Sequence, residues 1–422
     1  MGVFIRVISG VILPVLLFGA GLYFLILLLP SLLQRRGRER GSGGARALTV
    51  ALAGTLGVGN SAGVAAGIAF GGAGAVFWMW MSAILAMFLK YAEVVLAVRT
   101  RRYDAEGRPH GGAPYYMKIA FGKRMGHLIG AVFAALCFLC SITLGGIMQS
   151  AAAAEILQAV YSIPPVFTGV FLGVAGALIL SLGAVRMEQA CTALVPLVCA
   201  VFFIASLVAI WLRLDAVPDA FAAIFREAFS WKSGVGGMAG FFTSRAVRYG
   251  VARGLVSNEA GCGTAPIAHA AANTSLPAAQ GVWGMIEVFV DTILLCTMTA
   301  LVILTSGAAA CEGGGMRFAM EAYRATLGPF AAPLLSISVI LFAFATVLCW
   351  AHYGAESMRV LTRNRRILRM LPLGVLIACI VGAVAAPQFA WHVTDLVLGV
   401  MAILNITALL LMRHDILEET RK

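Results

Sequence analysis

Gly54-Thr55-Leu56-Gly57-Val58-Gly59-Asn60-Ser61-Ala62-Gly63 and Ser257-Asn258-Glu259-Ala260-Gly261-Cys262-Gly263-Thr264-Ala265-Pro266 each interrupt a long apolar stretch. Each interior glycine weakens a helix by about 1 kcal/mol. Pro266 removes a backbone donor and restricts Ala265. Neither segment is expected to continue as a regular helix. Unwound backbone at membrane depth survives only where it is buried in protein or lines a polar cavity.

The surroundings place both segments in a membrane. Of 422 residues, 61% are hydrophobic and 12% charged, against about 25% charged in an ordinary soluble domain. Stretches of about 20 apolar residues fall near 8–33 and then near 47–71, 74–98, 126–158, 166–183, 190–212, 236–273, 281–306, 330–358, 371–387 and 391–412. The expectation is an all-α membrane protein of eleven transmembrane helices, residues 1–422 forming one domain. Residues 1–33 are an extra N-terminal helix, 47–212 a first repeat of five and 236–412 a second. The breaks then sit in the first helix of each five, the arrangement of an inverted-repeat carrier with its site at the midplane. Gly67, Gly71 and Gly74, and Gly169, Gly173 and Gly176, read instead as close-packing glycines.

The net charge of +12 does not point to nucleic acid, because no basic stripe interleaved with aromatics occurs. Eleven spans leave 21 Lys and Arg on one set of loops, among them Arg35, Arg36, Arg38 and Arg40, and 6 on the other, Arg6 and Lys232 included. The excess marks the cytoplasmic side, which puts the C-terminus in the cytoplasm and the N-terminus outside, in a bacterial inner membrane. Cys137 and Cys140 form a C-x-x-C on a helix with no second pair nearby and read as small buried hydrophobes. No H-E-x-x-H and no paired metal ligands are present, so an enzyme is disfavoured. A channel would need a continuous polar pore rather than a closed midplane site.

Two bared backbone segments suit a zwitterion. Amides at Gly57 to Gly59 open a half-helix, where the dipole favours a carboxylate. Carbonyls from Ser257 to Gly261, with Asn258 and Gln149, can receive an ammonium. Carbonyls of Ala53 and Leu56 offer oxygen to a hard cation, and sodium fits better than a transition metal because paired His and Cys are lacking. The Asn60 amide oxygen can bridge cation and carboxylate, coupling the two ligands. One cation crossing about 100 mV supplies roughly 2.3 kcal/mol, and a tenfold gradient about 1.4, on the order of 500-fold accumulation.

Intramembrane charges divide between structural and functional readings. Lys90 and Glu93, three apart, should pair on one helix face; Glu287 and Asp291, four apart, should face one another as a candidate proton site; Glu155 should pair locally; Glu259 should cap or gate its break.

At these residues the chain resembles the alanine or glycine:cation symporters. The likeness runs through residues 54–65, Gly72 to Trp80, Lys90-Tyr91-Ala92-Glu93, Arg248 to Gly261, Asp291-Thr292, Cys296-Thr297, Thr299-Ala300-Leu301 and Trp350-Ala351-His352-Tyr353-Gly354. It implies a leucine-transporter-type fold, sodium (sometimes proton) coupling and alanine or glycine as substrate. It also implies a carboxylate site at Val58-Gly59, a sodium at Asn60, and a pocket lined by Gln149, Asn258 and Trp350, with Trp350 as cap. Val58 stands where the family has Thr, Val256 where it has Phe, and Ala345 precedes Thr346 where a Ser-Thr pair is common. The substrate set is Thr55, Gly57, Val58, Gly59, Asn60, Gln149, Val256, Asn258, Gly261 and Trp350; the cation set is Ala53, Leu56, Asn60 and Thr346.

Overall fold

The computed structural model describes residues 13–34, 44–57, 59–229, 244–308, 315–385 and 388–422, without the side chains of 255, 256, 388, 389, 391 and 392. Val58, Arg6, Arg35, Arg36, Arg38, Arg40 and Lys232 lie outside the described residues, as does the side chain of Val256.

The first half begins with α1 (Leu13–Gln34) and then α2 (Gly44–Thr55), which stops at the first glycine-rich segment. Gly59–Gly63 forms a π-helical turn that leads into α3 (Val64–Gly71), and the two halves of this span are bent by 57°. Next come α4 (Gly74–Thr100), a two-stranded hairpin of β1 (Arg102–Tyr103) and β2 (Pro109–His110), and the short α5 (Ala113–Ala120). Helix α6 (Lys123–Cys140) passes through a π segment, Ser141–Met148, into α7 (Gln149–Tyr161). Then follow α8 (Pro165–Ser181), α9 (Ala184–Trp211) and the amphipathic α10 (Val217–Ala228).

The second half repeats the plan with α11 (Arg245–Asn258), an unwound stretch, and α12 (Pro266–Ala270). Helix α13 (Pro277–Val288) runs through a π segment, Phe289–Cys296, into α14 (Thr297–Thr305). The chain closes with α15 (Met316–Leu327), α16 (Ala331–Leu361), α17 (Arg365–Val384), α18 (Gln388–Leu411) and α19 (Arg413–Arg421).

Among the described residues, eight helices are long and apolar enough to cross a membrane, and the bent pair α2/α3 makes a ninth. Helix α8 is apolar but has only 17 residues. The α11/α12 pair is not among them, because α11 carries Arg245, Arg248 and Arg253 and α12 is five residues long. Composition did not reveal the two π segments, since an extra residue in a turn leaves an apolar run apolar.

Small residues set how closely the helices approach. An ideal Cβ at Gly169 would lie 2.8 Å from the Ala383 Cβ, and one at Gly173 3.0 Å from the Leu376 Cα, so α8 lies flush along α17. A Cβ at Gly74 would meet the Ala228 nitrogen at 2.4 Å. These contacts fit the packing role expected of such glycines.

At the arginine-rich end, Arg99 pairs with Asp415, Glu418 and Glu419 of α19, and Arg101 donates to the carbonyls of Ala270, Ala272 and Thr274. His110 in the hairpin lies 2.6 Å from Glu356 of α16 and 3.2 Å from Asp104. Hydrogen bonding to Glu356 raises the His110 pKa, while the Arg108 backbone N–H holds Asp104 down to about 2. A cavity of about 680 Å³ opens beside this cluster, lined by Arg108, Glu356, Arg359, Arg365 and Arg369 among others.

Candidate functional site

The two breaks meet the middle of the α13–α14 span. Helix α2 ends as Leu56 N donates to Leu52 O and Gly57 N to Thr55 O; the chain then turns, with Asn60 N donating to Gly57 O at 3.3 Å. This places Asn60, 3% exposed, against the π segment. Its Nδ2 donates to Asp291 Oδ1 at 2.7 Å and to the Asp291 carbonyl at 3.2 Å. The other carboxylate oxygen, Oδ2, accepts from Ser257 and from Thr292, each at 2.7 Å. Because the amide nitrogen faces the carboxylate, Oδ1 of Asn60 points away, buried and without a partner. Leaving such an acceptor unmet costs about 1–3 kcal/mol. A hard cation beside a carboxylate, an amide oxygen and hydroxyls would meet it.

The second break is held open by its own side chains. Glu259 adopts φ 52° and accepts from Thr264 Oγ1 at 2.7 Å, which spans the unwound stretch. Asn258 uses both ends of its amide: Nδ2 donates to Thr292 Oγ1 at 3.2 Å, and Oδ1 accepts from Ala260 N at 3.0 Å. Gly263 N donates to Glu93 Oε1 at 2.9 Å. Asn405 of α18 donates to that same oxygen at 2.5 Å and to the Gly261 carbonyl at 2.9 Å.

A second group assembles where α2 ends. Thr346 Oγ1 of α16 lies 3.3 Å from the Leu56 carbonyl. An ideal Cβ on Gly57 would be 3.1 Å from Gln149 Oε1 and 3.2 Å from Thr346 Oγ1, so Gly57, Gln149 and Thr346 converge. Among the described residues, nothing lies within 4 Å of where a Cβ on Gly59 would be. One turn along, Trp350 is fully buried against Gly145, with Nε1 unpartnered.

Apart from Val58 and the side chain of Val256, which lie outside the described residues, the expected site residues fall into separate groups. Leu56, Gly57, Gln149 and Thr346 come together, and Asn60 joins Asp291, Ser257 and Thr292 instead. Thr55 is buried with its hydroxyl against the carbonyls of its own helix, and Ala53 is buried. Gly261 faces away: a Cβ there would lie 2.3 Å from Leu17 of α1. Ser257, Asp291 and Thr292 were absent from the expected set. The available signal was an acid in the middle of an apolar span followed directly by a hydroxyl.

The expected charge pairings are corrected by the same contacts. Lys90 pairs with Glu287 at 3.3 Å, both fully buried, and not with Glu93. Glu287 also meets His269 at 3.0 Å, and His269 meets Gln280 at 2.7 Å. Glu287 and Asp291 turn to different partners, because the π segment begins between them and rotates one relative to the other. Glu155 pairs not locally but with Arg317 of α15, at 3.3 Å on an exposed surface.

Paired broken spans around a closed polar centre, within a nearly all-helical membrane chain, define a multi-pass transporter. Solved structures share the fold: MhsT in complex with L-phenylalanine superposes with a TM-score of 0.65 at 16% identity, covering 91% of this chain and 93% of that one. The sequence matches the sodium:alanine symporter family over residues 2–422, and the chain belongs to that family. It is 34% identical to the sodium/alanine symporter AgcS of Methanococcus maripaludis, over 89% of this chain and 83% of that protein. It is 36% identical to an uncharacterized transporter of Haemophilus influenzae, over 98% and 93%.

Proposed function

We propose that the chain imports a small neutral amino acid, alanine or glycine, together with sodium by alternating access. The observation that carries the sodium assignment is the Asn60–Asp291–Ser257–Thr292 cluster, whose buried amide oxygen has no donor. A carboxylate with three donors and an unmet oxygen beside it suits a monovalent cation held by oxygen. Leu56 and Thr346 form a second oxygen pair for a cation. The substrate carboxylate takes the open side of Gly59, and the bulk of Trp350 and Gln149 limits the side chain to a small one.

The reading includes eleven crossings, with α8 and the α11/α12 pair counted as short spans. It places the C-terminus on the cytoplasmic side of a bacterial inner membrane, where the arginine-rich loops gather. The second reading is a proton-coupled or uncoupled carrier of broader range; the buried Lys90–Glu287–His269 chain favours it as a place to hold a proton.

One experiment separates these readings: uptake of labelled alanine, glycine, serine and glutamine into proteoliposomes under a sodium gradient, a proton gradient or none. Accumulation of alanine or glycine that needs sodium is the expected result. Equal uptake under a proton gradient alone would overturn sodium coupling, and equilibration without accumulation would overturn coupling altogether.

A further inference from the structure

Helix α16 carries three polar side chains that are buried and, among the described residues, without a hydrogen-bond partner: Trp350 through Nε1, Tyr353 through its hydroxyl and Ser357 through Oγ. With Thr346 they stand at i, i+4, i+7 and i+11, along one side of the helix. Native structures leave few such groups unmet, because each forfeits its bonds to water on burial. Three on one helix side call for a second state in which they are used.

What covers Tyr353 is α2. An ideal Cβ on Gly54 would lie 2.9 Å from Cys349 Sγ and 3.2 Å from the Tyr353 hydroxyl, and Cys349 Sγ donates to the Val50 carbonyl at 3.0 Å. From the arginine-rich end, a cavity of about 240 Å³ reaches the same seam, lined by Arg46, Val50, Met187, Ala268 and His352 among others. Val50 therefore borders the cavity on one side and the seam on the other. This contact lies beside Tyr353, and Gly57 lies three residues beyond Gly54.

We propose that Tyr353 and Ser357 form a second, transient station for the substrate carboxylate, on the cytoplasmic side of the midplane site, exposed when α2 leaves Cys349 and Tyr353. The inference rests on the amino-acid symporter reading and adds to it a route of release. The ligand class follows from the groups. An indole N–H only donates, and hydroxyls donate readily to a carboxylate. No cation stands among Trp350, Tyr353, Gly354 and Ser357, so the anion is held by neutral donors and is released easily. A guanidinium at this place would form a stronger, charge-assisted bond and retain it.

Tyr353→Phe tests the station, since it keeps the ring and removes only the oxygen. The probe is whichever of labelled alanine, glycine, serine or glutamine the unmodified chain takes up. The equilibrium Kd should stay within about twofold, while the maximal uptake rate falls about tenfold, the worth of one hydrogen bond to a charged group. An unchanged rate overturns the station, and so does a Kd that weakens as much as the rate, which moves the hydroxyl into the midplane site. A second measurement uses a chain whose only cysteine is Cys349 and follows its alkylation by maleimide. Gly54→Ala should raise the alkylation rate at least about tenfold by wedging the seam, and an unchanged rate overturns the seam as the barrier. Absence of any uptake by the unmodified chain sinks the symporter reading and the station together, whereas normal uptake with an indifferent Tyr353→Phe sinks the station alone.

Discussion

The side-chain amide of Asn60 donates to the carboxylate of Asp291 across 2.7 Å, joining the first broken span to the π segment of the α13–α14 span. The contact bridges 231 positions of sequence and sets which way the Asn60 oxygen points. Any cation bound there feels both residues at once.

Asp291→Asn should therefore weaken apparent sodium affinity at least about tenfold, roughly 1.4 kcal/mol, because it removes the negative charge without changing shape. Initial uptake rates against sodium concentration provide the check. A sodium dependence like that of the unmodified chain would remove Asp291 from the cation site.

Gly57→Ala tests the substrate side. Its new methyl would stand 3.1 to 3.2 Å from Gln149 and Thr346, closer than ordinary contact. We expect KM for the transported amino acid to rise about tenfold or more, as expected when a misplaced group disturbs a fitted site, with the protein still folded by size-exclusion chromatography. An unaltered KM would show that the pocket lies elsewhere.

Ala345→Ser restores a hydroxyl beside Thr346, whose own Oγ1 lies 3.3 Å from the Leu56 carbonyl. A further oxygen ligand should improve apparent sodium affinity about threefold, a fraction of one net hydrogen bond. Uptake titrated with sodium reads this directly, and no change would mean that the Leu56–Thr346 pair holds no ion.

Lys90→Met should destabilise the protein by about 3–5 kcal/mol, since it removes the buried cation from Glu287 and leaves that carboxylate with His269 alone. Lys90→Met with Glu287→Gln should recover much of that loss, as neither charge is then left alone. Thermal unfolding in detergent compares the two. A double variant no more stable than the single one would show that the pair is not what the core depends on.

His110 offers a pH test outside the spans. Its pKa is raised in the folded chain by hydrogen bonding to Glu356, so its contribution is fully present below the unfolded value of about 6.5. That contribution is lost as pH climbs through the raised folded value. Hydrogen exchange in residues 102–110, corrected for intrinsic rates, should show protection falling as pH rises above neutrality. His110→Ala should abolish that pH dependence; protection that stays constant with pH in the unmodified chain would contradict it.

Much of the architecture was legible in the chain itself. The apolar runs and their glycine interruptions are local properties, and the helices broke at Thr55 and Asn258, within the two quoted segments. The amphipathic α10 and α15 escaped notice because they lie between spans and are short. Lys90 and Glu93 show the limit for charges. Spacing along a helix states which residues share its face but not which helix that face meets. Glu93 turned to Gly263 and Asn405, and Lys90 to Glu287, because α4 packs against α13 and the unwound stretch.

The sequence by itself determined that this is a membrane carrier with two bared backbone segments, since solvation of apolar side chains and helix-breaking by glycine and proline act residue by residue. It also determined the family, through motifs that run in order along the chain. Only the tertiary structure decided that Asn60 belongs with Asp291 and Ser257, that Thr346 belongs with Leu56 and Gln149, and that Gly261 faces α1. Such pairings depend on how far each helix is rotated and slid against its neighbours. That is set by side-chain packing across the whole bundle and by the π segments Ser141–Met148 and Phe289–Cys296, neither of which leaves a mark on any single stretch of residues.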